Sequence, residues 1–475
     1  MPQPSLSLLD PDLIAWILDE AFQLISEIGV RVSDNEARRL LQESGAALKD
    51  DIVHIPEQVV RRMLNAVPAS FSLYDRQGQA VVQYSPRNEV HFDPGSCAVH
   101  ILDPETLEHR PALTADLVRL VQVAEILPQF AAQSTAVVCH DVPEVIGDIH
   151  RLHVVLLHSN KPVVSGAFSP RNLQAMIDLL AADAGGLKNL AEKPRAVFDV
   201  CPSPPLHWTE FACRCLIELG RAGIPVEMVS MPLAGATAPV TLAGSLAQHA
   251  AECLSGLTIH QLAAPGAPII WGGAPAIFDM RSGTTPMGAI ETAMLDAAYA
   301  QLGKSLDLPT HGYLGASDAK LLDAQAGMES GMTALIGALA GINMISGAGM
   351  LDFLNCQSVE KLVVDAEGIA MAQRLLKGIG TPTETLSLDM FRQIGLSGEF
   401  LKLKETRALF KAEQILPSSV IDRGSLRAWQ DGGRGDIFSR ARERASALMA
   451  GYQKPDLPKE IVAEFERIMQ AASKG

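Results

Sequence analysis

Eight short apolar runs alternate with amphipathic helical stretches across the middle of the chain, and this alternation constrains the fold more than any other feature. The runs are VHFDPG, AQSTAVVCHD, KPVVSGAFS, RAVFDVCPSP, IPVEMVSMP, APIIWGGAP, LPTHGYLGAS and INMISGAGM. Each is dense in Val and Ile with little polar alternation, as strands buried on both faces must be. Between them lie helical patterns such as TADLVRLVQVAEIL, NLQAMIDLLAAD and AIETAMLDAAYAQLG. Strand–helix repetition of this kind produces a parallel sheet. Eight such units fit a closed barrel better than a doubly wound open sheet with fewer strands. The expected fold class is therefore α/β: a (β/α)8 TIM barrel over residues 89–380.

The flanks read differently. Leu13, Ile17, Ala21, Leu24 and Ile28 recur at helical spacing, and FSLYDRQGQAVVQYS alternates about a turn at Gln77-Gly78, like a hairpin. Residues 1–88 are expected to form an N-terminal α+β cap. After about residue 380 the strand signal fades, and residues 381–475 are expected to form a helical C-terminal extension, packed on the barrel or on a second subunit.

Composition narrows the function classes. The chain has 475 residues, 48% of them hydrophobic and 20% charged, with a formal charge of −15. That balance excludes disorder and argues against a nucleic-acid surface, which needs Lys and Arg. The N-terminal MPQPSLSLLDPDL lacks the basic start of a secretory signal, and no apolar stretch reaches membrane-spanning length. Seven scattered Cys form no disulfide pattern. The expectation is a cytoplasmic protein that binds neither nucleic acid nor membrane.

In such barrels the active site lies at the carboxyl ends of the strands. Two clusters fall there. In HGYLGASDAKLLDAQAGMES, His311 and Tyr313 are two apart on a strand and face the same side. Gln325 and Glu329 follow at i, i+4 on one helix face. A converging His, Tyr and Glu can hold a cation or move a proton. Equally, Tyr313 can fill the barrel, His311 can bond a loop and Glu329 can be solvated. In WGGAPAIFDMRSGTTPMGAIE, Trp271 and Phe278 offer aromatic faces and Asp279 a negative charge. Aromatic faces beside a carboxylate suit a quaternary ammonium. Equally, Trp271 can lie in the core and Asp279 can pair with Arg281 at the surface. Phe168, after the third run, is a further candidate for an aromatic box.

Other motifs carry less. Ser346-Gly347-Ala348-Gly349 lacks the third Gly of a dinucleotide loop. His150, His153 and His158 share a helical stretch without the Cys or carboxylates that would complete a zinc site, and read as a polar helix face. No metal ligands are expected in this chain.

The segments TIHQLAAPGAPIIWGGAPAIFDMRSGTTPMGAIE, SDAKLLDAQAGMESGMTALIGALAGINMISGAGML and WQDGGRGDIFSRARERASALM resemble the trimethylamine methyltransferase family, and the resemblance runs over nearly the whole chain. It implies a barrel that takes a methyl group from a methylated amine. The acceptor would be the cobalt(I) of a corrinoid (cobalamin) carried by a separate partner protein, and the transfer an SN2 displacement. Family members that use pyrrolysine carry it near the end of the seventh strand. This chain has ordinary residues around Tyr313–Ala316, so it resembles the non-pyrrolysine branch, which includes enzymes for quaternary amines such as glycine betaine. A quaternary nitrogen already leaves as a neutral amine and needs no further activation. Glycine betaine enzymes carry a His shortly after the eighth strand; Gly347 stands there in this chain.

The site expected from this resemblance places His311, Tyr313 and Glu329 in the chemistry. Phe168, Trp271, Phe278, Asp279, Arg281, Gln325 and Gly347 are then candidates for substrate binding, with His311 or Arg281 on a substrate carboxylate. Homo-oligomers are also expected. Two other readings stay open: a barrel that binds a methylated amine without turnover, and methyl transfer directly to tetrahydrofolate.

Overall fold

The computed structural model describes residues 3–87, 89–380 and 386–474. The eight apolar runs form eight parallel strands: β1 (His91–Pro94), β2 (Gln133–Ser134), β3 (Val163–Ser165), β4 (Ala196–Val200), β5 (Val226–Ser230), β6 (Ile269–Gly273), β7 (His311–Gly312) and β8 (Met344–Ala348). Ladders join β2 through β6 in sequence and β7 to β8 to β1. The Trp271 amide donates to Pro309 at 2.9 Å beside β7, and the Ala131 amide donates to Phe92 of β1 at 2.9 Å. The neighbours thus return to the first strand. This is an α/β fold whose parallel core has a barrel-type arrangement.

A helix follows each strand: α1 (Thr114–Ile126), α2 (Gly147–His158), α3 (Pro170–Ala184), α4 (Glu210–Ala222), α5 (Leu242–Ala263), α6 (Ile290–Ser305), α7 (Ala324–Ala340) and α8 (Val359–Leu376). Their starts carry the expected caps: Ser169, Thr209, Asp323 and Ser358 each accept from a first-turn amide. α5 is buried on nearly every side and rich in small residues because it is covered on both sides. The sheet lies beneath it, and the N-terminal helices Pro11–Gln23, Asn35–Ser44 and Glu57–Leu64 lie above it.

The N-terminal segment is tied to the barrel at two further places. Its small sheet, Val30–Val32, Ala47–Lys49 and Ile52–His54, takes His207–Trp208 from the loop after β4 as an outer parallel strand. The hairpin Phe71–Tyr74/Ala80–Tyr84 plugs the amino-terminal end of the barrel. There Leu73, Val82 and Tyr84 pack on Ala132, Val197, Ile270 and Met344, which lie at or just before the starts of four strands.

The C-terminal helices wrap the other side. Ile437–Gly451 packs on α8 and α1, and Lys459–Lys474 packs on α3 and α2. The three histidines of α2 take part in this packing or in a neighbouring helix start. His153 meets Phe465 edge-on at 5.8 Å, the Tyr452 hydroxyl donates to the His158 carbonyl at 2.6 Å, and His150 bonds Thr114 at 2.9 Å. Among the described residues, no helix is long and apolar enough to cross a membrane.

Because Leu73 is fully buried against four strands, Leu73→Ala removes contacts that no neighbour can replace. It is expected to cost about 2–5 kcal/mol of stability, read as a shift in the urea midpoint without a change in slope. A shift below about 0.5 kcal/mol would show that the hairpin is not part of the cooperative core.

Candidate functional site

Inside the barrel, toward the carboxyl ends of the strands, lies a cluster of buried acids. Strand alternation sends Asp93 of β1, Asp199 of β4 and Glu227 of β5 inward. They meet His311 of β7, Ser346 of β8, and Tyr313 just beyond β7. Glu227 fits only because its neighbour in β6 is Gly272: a Cβ there would collide with the Glu227 carboxyl group. The His311 and Tyr313 rings stack, 5.6 Å apart and 14° from parallel. The expected shared side of those two residues is what the structure has.

The hydrogen bonds define where the protons sit. Ser346 donates to Asp93. Its oxygen therefore receives Nε2–H of His311, at 2.6 Å. A neutral His311 then presents Nδ1 as an acceptor, 2.8 Å from Oε2 of Glu227, so Glu227 must carry the proton between them. The electrostatics agree. Burial pushes Glu227 up to about 8, raises Asp93 and Asp199 well above the usual carboxylate range, and lowers His311. The pair is a neutral hydrogen bond rather than an ion pair. Asp199 and Glu227 hydrogen-bond to each other, and one carboxyl oxygen of Asp93 is buried without a partner.

Above the acids the barrel opens into a recess. Cys201, two residues past Asp199 and just beyond β4, is solvent-accessible although protein surrounds it closely. Tyr313 forms one apolar wall with Val229, Ala274, Ala276 and Met287. Cys97, after β1, accepts from Nη1 of Arg151 at 3.1 Å. Arg151 of α2 is fully buried and also donates to the Thr135 carbonyl at 2.9 Å. Its Nε and Nη2 have no partner.

The other sequence candidates fall in different places. Trp271 does not face the recess. Ile270 beside it points inward, so Trp271 points outward, edge-on to His249 of α5 at 5.6 Å. Phe168 is half exposed, with the Arg151 guanidinium 4.3 Å from its ring centre. Phe278 is half-buried beside the strand that pairs with Leu233–Ala234. Asp279 and Arg281 pair with each other in an exposed turn, at 2.9 Å, which holds Asp279 down to about 2. Gln325 donates to Glu329 at 2.9 Å, while Glu329 accepts from Ser317 at 2.6 Å and from the Asp318 amide at 2.8 Å. Glu329 thus fixes the loop after β7 from outside the acid cluster. Asp279 and Gln325 line a rim cavity of about 380 Å³ with Asp318, Lys320 and Phe353. Gly347 is packed so tightly that a Cβ would run into the Leu314 carbonyl oxygen, so a His cannot stand there without moving the backbone.

Asp199, Glu227 and Arg151 were not singled out by the sequence. A signal existed for the acids: VFDV and PVEMV each set one carboxylate inside a Val-rich strand. Nothing in HRLHVVLLH distinguished Arg151. Among the described residues, no three His, Cys, Asp or Glu are placed to hold a metal ion.

Comparison with known proteins places this arrangement. Residues 1–473 match the family model described as trimethylamine methyltransferase (MTTB). The chain is 31% identical over 465 residues to the trimethylamine methyltransferase MttB of Desulfitobacterium hafniense, covering 97% of this chain and 92% of that one. It is 32% identical over 481 residues to the Methanosarcina barkeri protein of the same name, covering 99% and 96%. It is 28% identical over 473 residues to a glycine betaine methyltransferase of D. hafniense, covering 99% and 98%. The crystal structure of the M. barkeri monomethylamine methyltransferase (MtmB) superposes with a TM-score of 0.52 at 12% identity, over 94% of this chain and 89% of that one. At that identity it speaks for the fold alone.

The proton arrangement has a pH signature. The raised carboxyls favour the protonated fold. The stability they contribute is complete below their ordinary range and is lost as pH rises through their folded values, near 8 for Glu227. His311 acts oppositely: its contribution is complete above its ordinary value and falls as pH drops. Glu227→Gln keeps an N–H donor for His311 without a titrating proton. Its urea midpoint is expected to decline less than the parent's between about pH 5 and 8, and equal slopes would contradict a protonated Glu227. The chain belongs to the trimethylamine methyltransferase family, as an enzyme of the methylated-amine methyltransferase type.

Proposed function

We propose that this protein is a (β/α)8-barrel methyltransferase that takes a methyl group from a quaternary methylated amine bearing a carboxylate, a betaine. Residues 1–88 act as cap, 89–380 as barrel and 381–475 as helical extension, and the enzyme works in the cytoplasm. The observation that carries the reading is the recess itself. Three buried carboxyl groups meet the stacked His311 and Tyr313 rings, and the buried Arg151 guanidinium, with two unpartnered nitrogens, bonds Cys97 just beyond β1. A permanent cation with an attached anion matches both ends.

Each residue then has a definite task. Asp199 and Glu227 supply negative potential where the ammonium sits, and the Tyr313 face supplies its quadrupole. Arg151 takes the carboxylate through Nε and Nη2 as a charge-assisted pair. The wall of Val229, Ala274 and Met287 excludes water from the methyl carbon. A cobalt(I) corrinoid, presented by its carrier protein, supplies the nucleophile. When the C–N bond breaks, its electron pair stays on nitrogen and a neutral amine departs. No acid or base is required, so the protein's contribution is positioning and desolvation. His311, the imidazole at the recess, has both ring nitrogens engaged by Ser346 and Glu227. It does not fit as a metal ligand from this chain, which supports a corrinoid held elsewhere.

The direct test mixes the protein, a cobalt(I) corrinoid carrier and candidate betaines, and follows loss of the cobalt(I) absorption. Loss with a quaternary amine supports the reading, and no loss with any of them ends it. Binding without loss would mark a non-catalytic barrel, and demethylation with tetrahydrofolate alone would mark a different acceptor.

Arg151→Ala is expected to raise KM for a betaine about 10- to 100-fold, which is the loss of one charge-assisted pair of about 1.5–3 kcal/mol. The same change should leave KM for a carboxylate-free quaternary amine within about threefold, a difference under about 0.7 kcal/mol.

A fixed cation beside Glu227 favours its ionised form, so ligand binding near pH 7 is expected to release a proton. Calorimetry in buffers of different ionisation enthalpy reads this as a buffer-dependent heat. A buffer-independent heat would place the cation away from Glu227.

A further inference from the structure

The apolar wall beside Tyr313 contains one residue unlike its neighbours. Val229 stands in β5, Ala274 directly follows β6, and Ala276 belongs to the short strand Ala276–Ile277. These side chains are short, and backbone hydrogen bonds set their places. Met287 is long and unbranched, and it lies in a turn between that short strand and α6. A thioether chain with three rotatable bonds fills whatever space its backbone allows. How far Met287 reaches into the recess therefore depends on what holds its backbone.

A single carboxyl group holds it. Met287 and Gly288 are buried, and buried amides need partners. The Met287 amide donates to Oδ1 of Asp318 at 2.9 Å, and the Gly288 amide donates to Oδ2 at 3.0 Å. Asp318 lies in the loop beyond β7 and is itself fixed at both backbone polar groups. Its amide donates to Glu329 at 2.8 Å, and its carbonyl accepts from Nζ of Lys320 at 2.6 Å. Glu329 also confines Gly288 from the other side, because a Cβ there would lie 2.6 Å from Oε2 of Glu329. Asp318 and Glu329 together buckle the loop before α6 to the loop after β7, and Met287 is the side chain that this buckle presents to the recess.

We propose that Met287 is a specificity-determining residue that reads the size of the alkyl groups on the donor nitrogen, and that Asp318 is the positioning residue that sets its depth. The proposal rests on the recess being the methyl-donor site. An ammonium beside Tyr313 and Glu227 has Met287 as the one long side chain of its apolar wall, so a group larger than methyl must push against it. With both backbone amides bonded to Asp318, the turn does not retreat, and the cost of an extra methylene falls on the ligand. Asp318 acts only through Met287.

The test compares glycine betaine with its homologue carrying one N-ethyl group in place of N-methyl, with affinities to the full chain read by calorimetry. The parent is expected to prefer glycine betaine by about 10- to 100-fold, the discrimination that one methylene provides in a firm apolar pocket. Met287→Ala is expected to reduce the preference to about threefold or less. Asp318→Asn turns a side-chain N–H toward one of the two amides, and Gly288→Ala drives a methyl group against Glu329. Both are expected to lose the preference as Met287→Ala does, with an unchanged circular dichroism spectrum. The double variant M287A/D318N is expected to match M287A, since residues that act as one unit do not add. A preference that M287A leaves intact overturns the proposal, and so do losses that multiply in the double variant. If neither betaine binds, the proposed reaction fails, and the Cε methyl resonance of Met287 decides the role of Asp318 separately. That resonance is identified by its absence in M287A. Its displacement in D318N and G288A, with the other methionine signals unmoved, supports the positioning role, and a resonance that stays in place overturns it.

Discussion

The chain of hydrogen bonds from Glu227 through His311 and Ser346 to Asp93 is the constraint on which the barrel interior depends. It crosses β5, β7, β8 and β1, so it links strands from opposite sides of the ring. Charged carboxyls buried at this depth would each cost several kcal/mol without compensation. The interior avoids that cost by keeping its acids protonated and its imidazole neutral. Every bond in the chain then runs between neutral partners. The backbone follows from this: Gly272 is small so that Glu227 can turn inward, and the hairpin beneath brings the Tyr84 hydroxyl to 3.5 Å from Nδ1 of His311.

The same packing logic explains the small residues of the chain. Where helices lie on the sheet, Ala and Gly bring backbones close. Where the barrel turns over at its mouth, Gly347 lets β8 pass against Leu314. A side chain at that point has no space, whatever its chemistry. Differences in substrate handling between this chain and a relative with His in the corresponding place must therefore include a different path of the loop beyond β7, not a simple exchange of one group.

The strands were legible in the sequence because burial on both faces leaves only apolar residues. That signal survives without knowledge of neighbours. Their facing was less so. Whether Trp271 points into the barrel or toward α5 depends on the register of β6 against β5, where it sits opposite Met228 rather than Glu227. His311 and Tyr313 were found together because a spacing of two fixes their relation on any strand. Asp279 with Arg281, and Gln325 with Glu329, were also placed together by spacing, but spacing says nothing of distance to the centre. Arg151 lay beyond sequence reasoning. On its helix it resembles any basic residue, and its distinction is that folding strips it of water while leaving two donors unmet.

The buried acids also bear on how a methyl donor of this class would be held and released. In the protonated state they are a neutral lining that tolerates an empty recess. A permanent cation shifts them toward the ionised form, and the attraction grows as water leaves. At the moment of transfer the amine is neutral, and the attraction is gone until the amine takes up a proton. With a quaternary donor the lining would distinguish donor from nascent product by charge, although the two differ by a single methyl group. A hydrophobic pocket reading that methyl alone could discriminate by only about 1–3 kcal/mol. A lining whose own charge responds to the ligand would separate substrate from nascent product more widely.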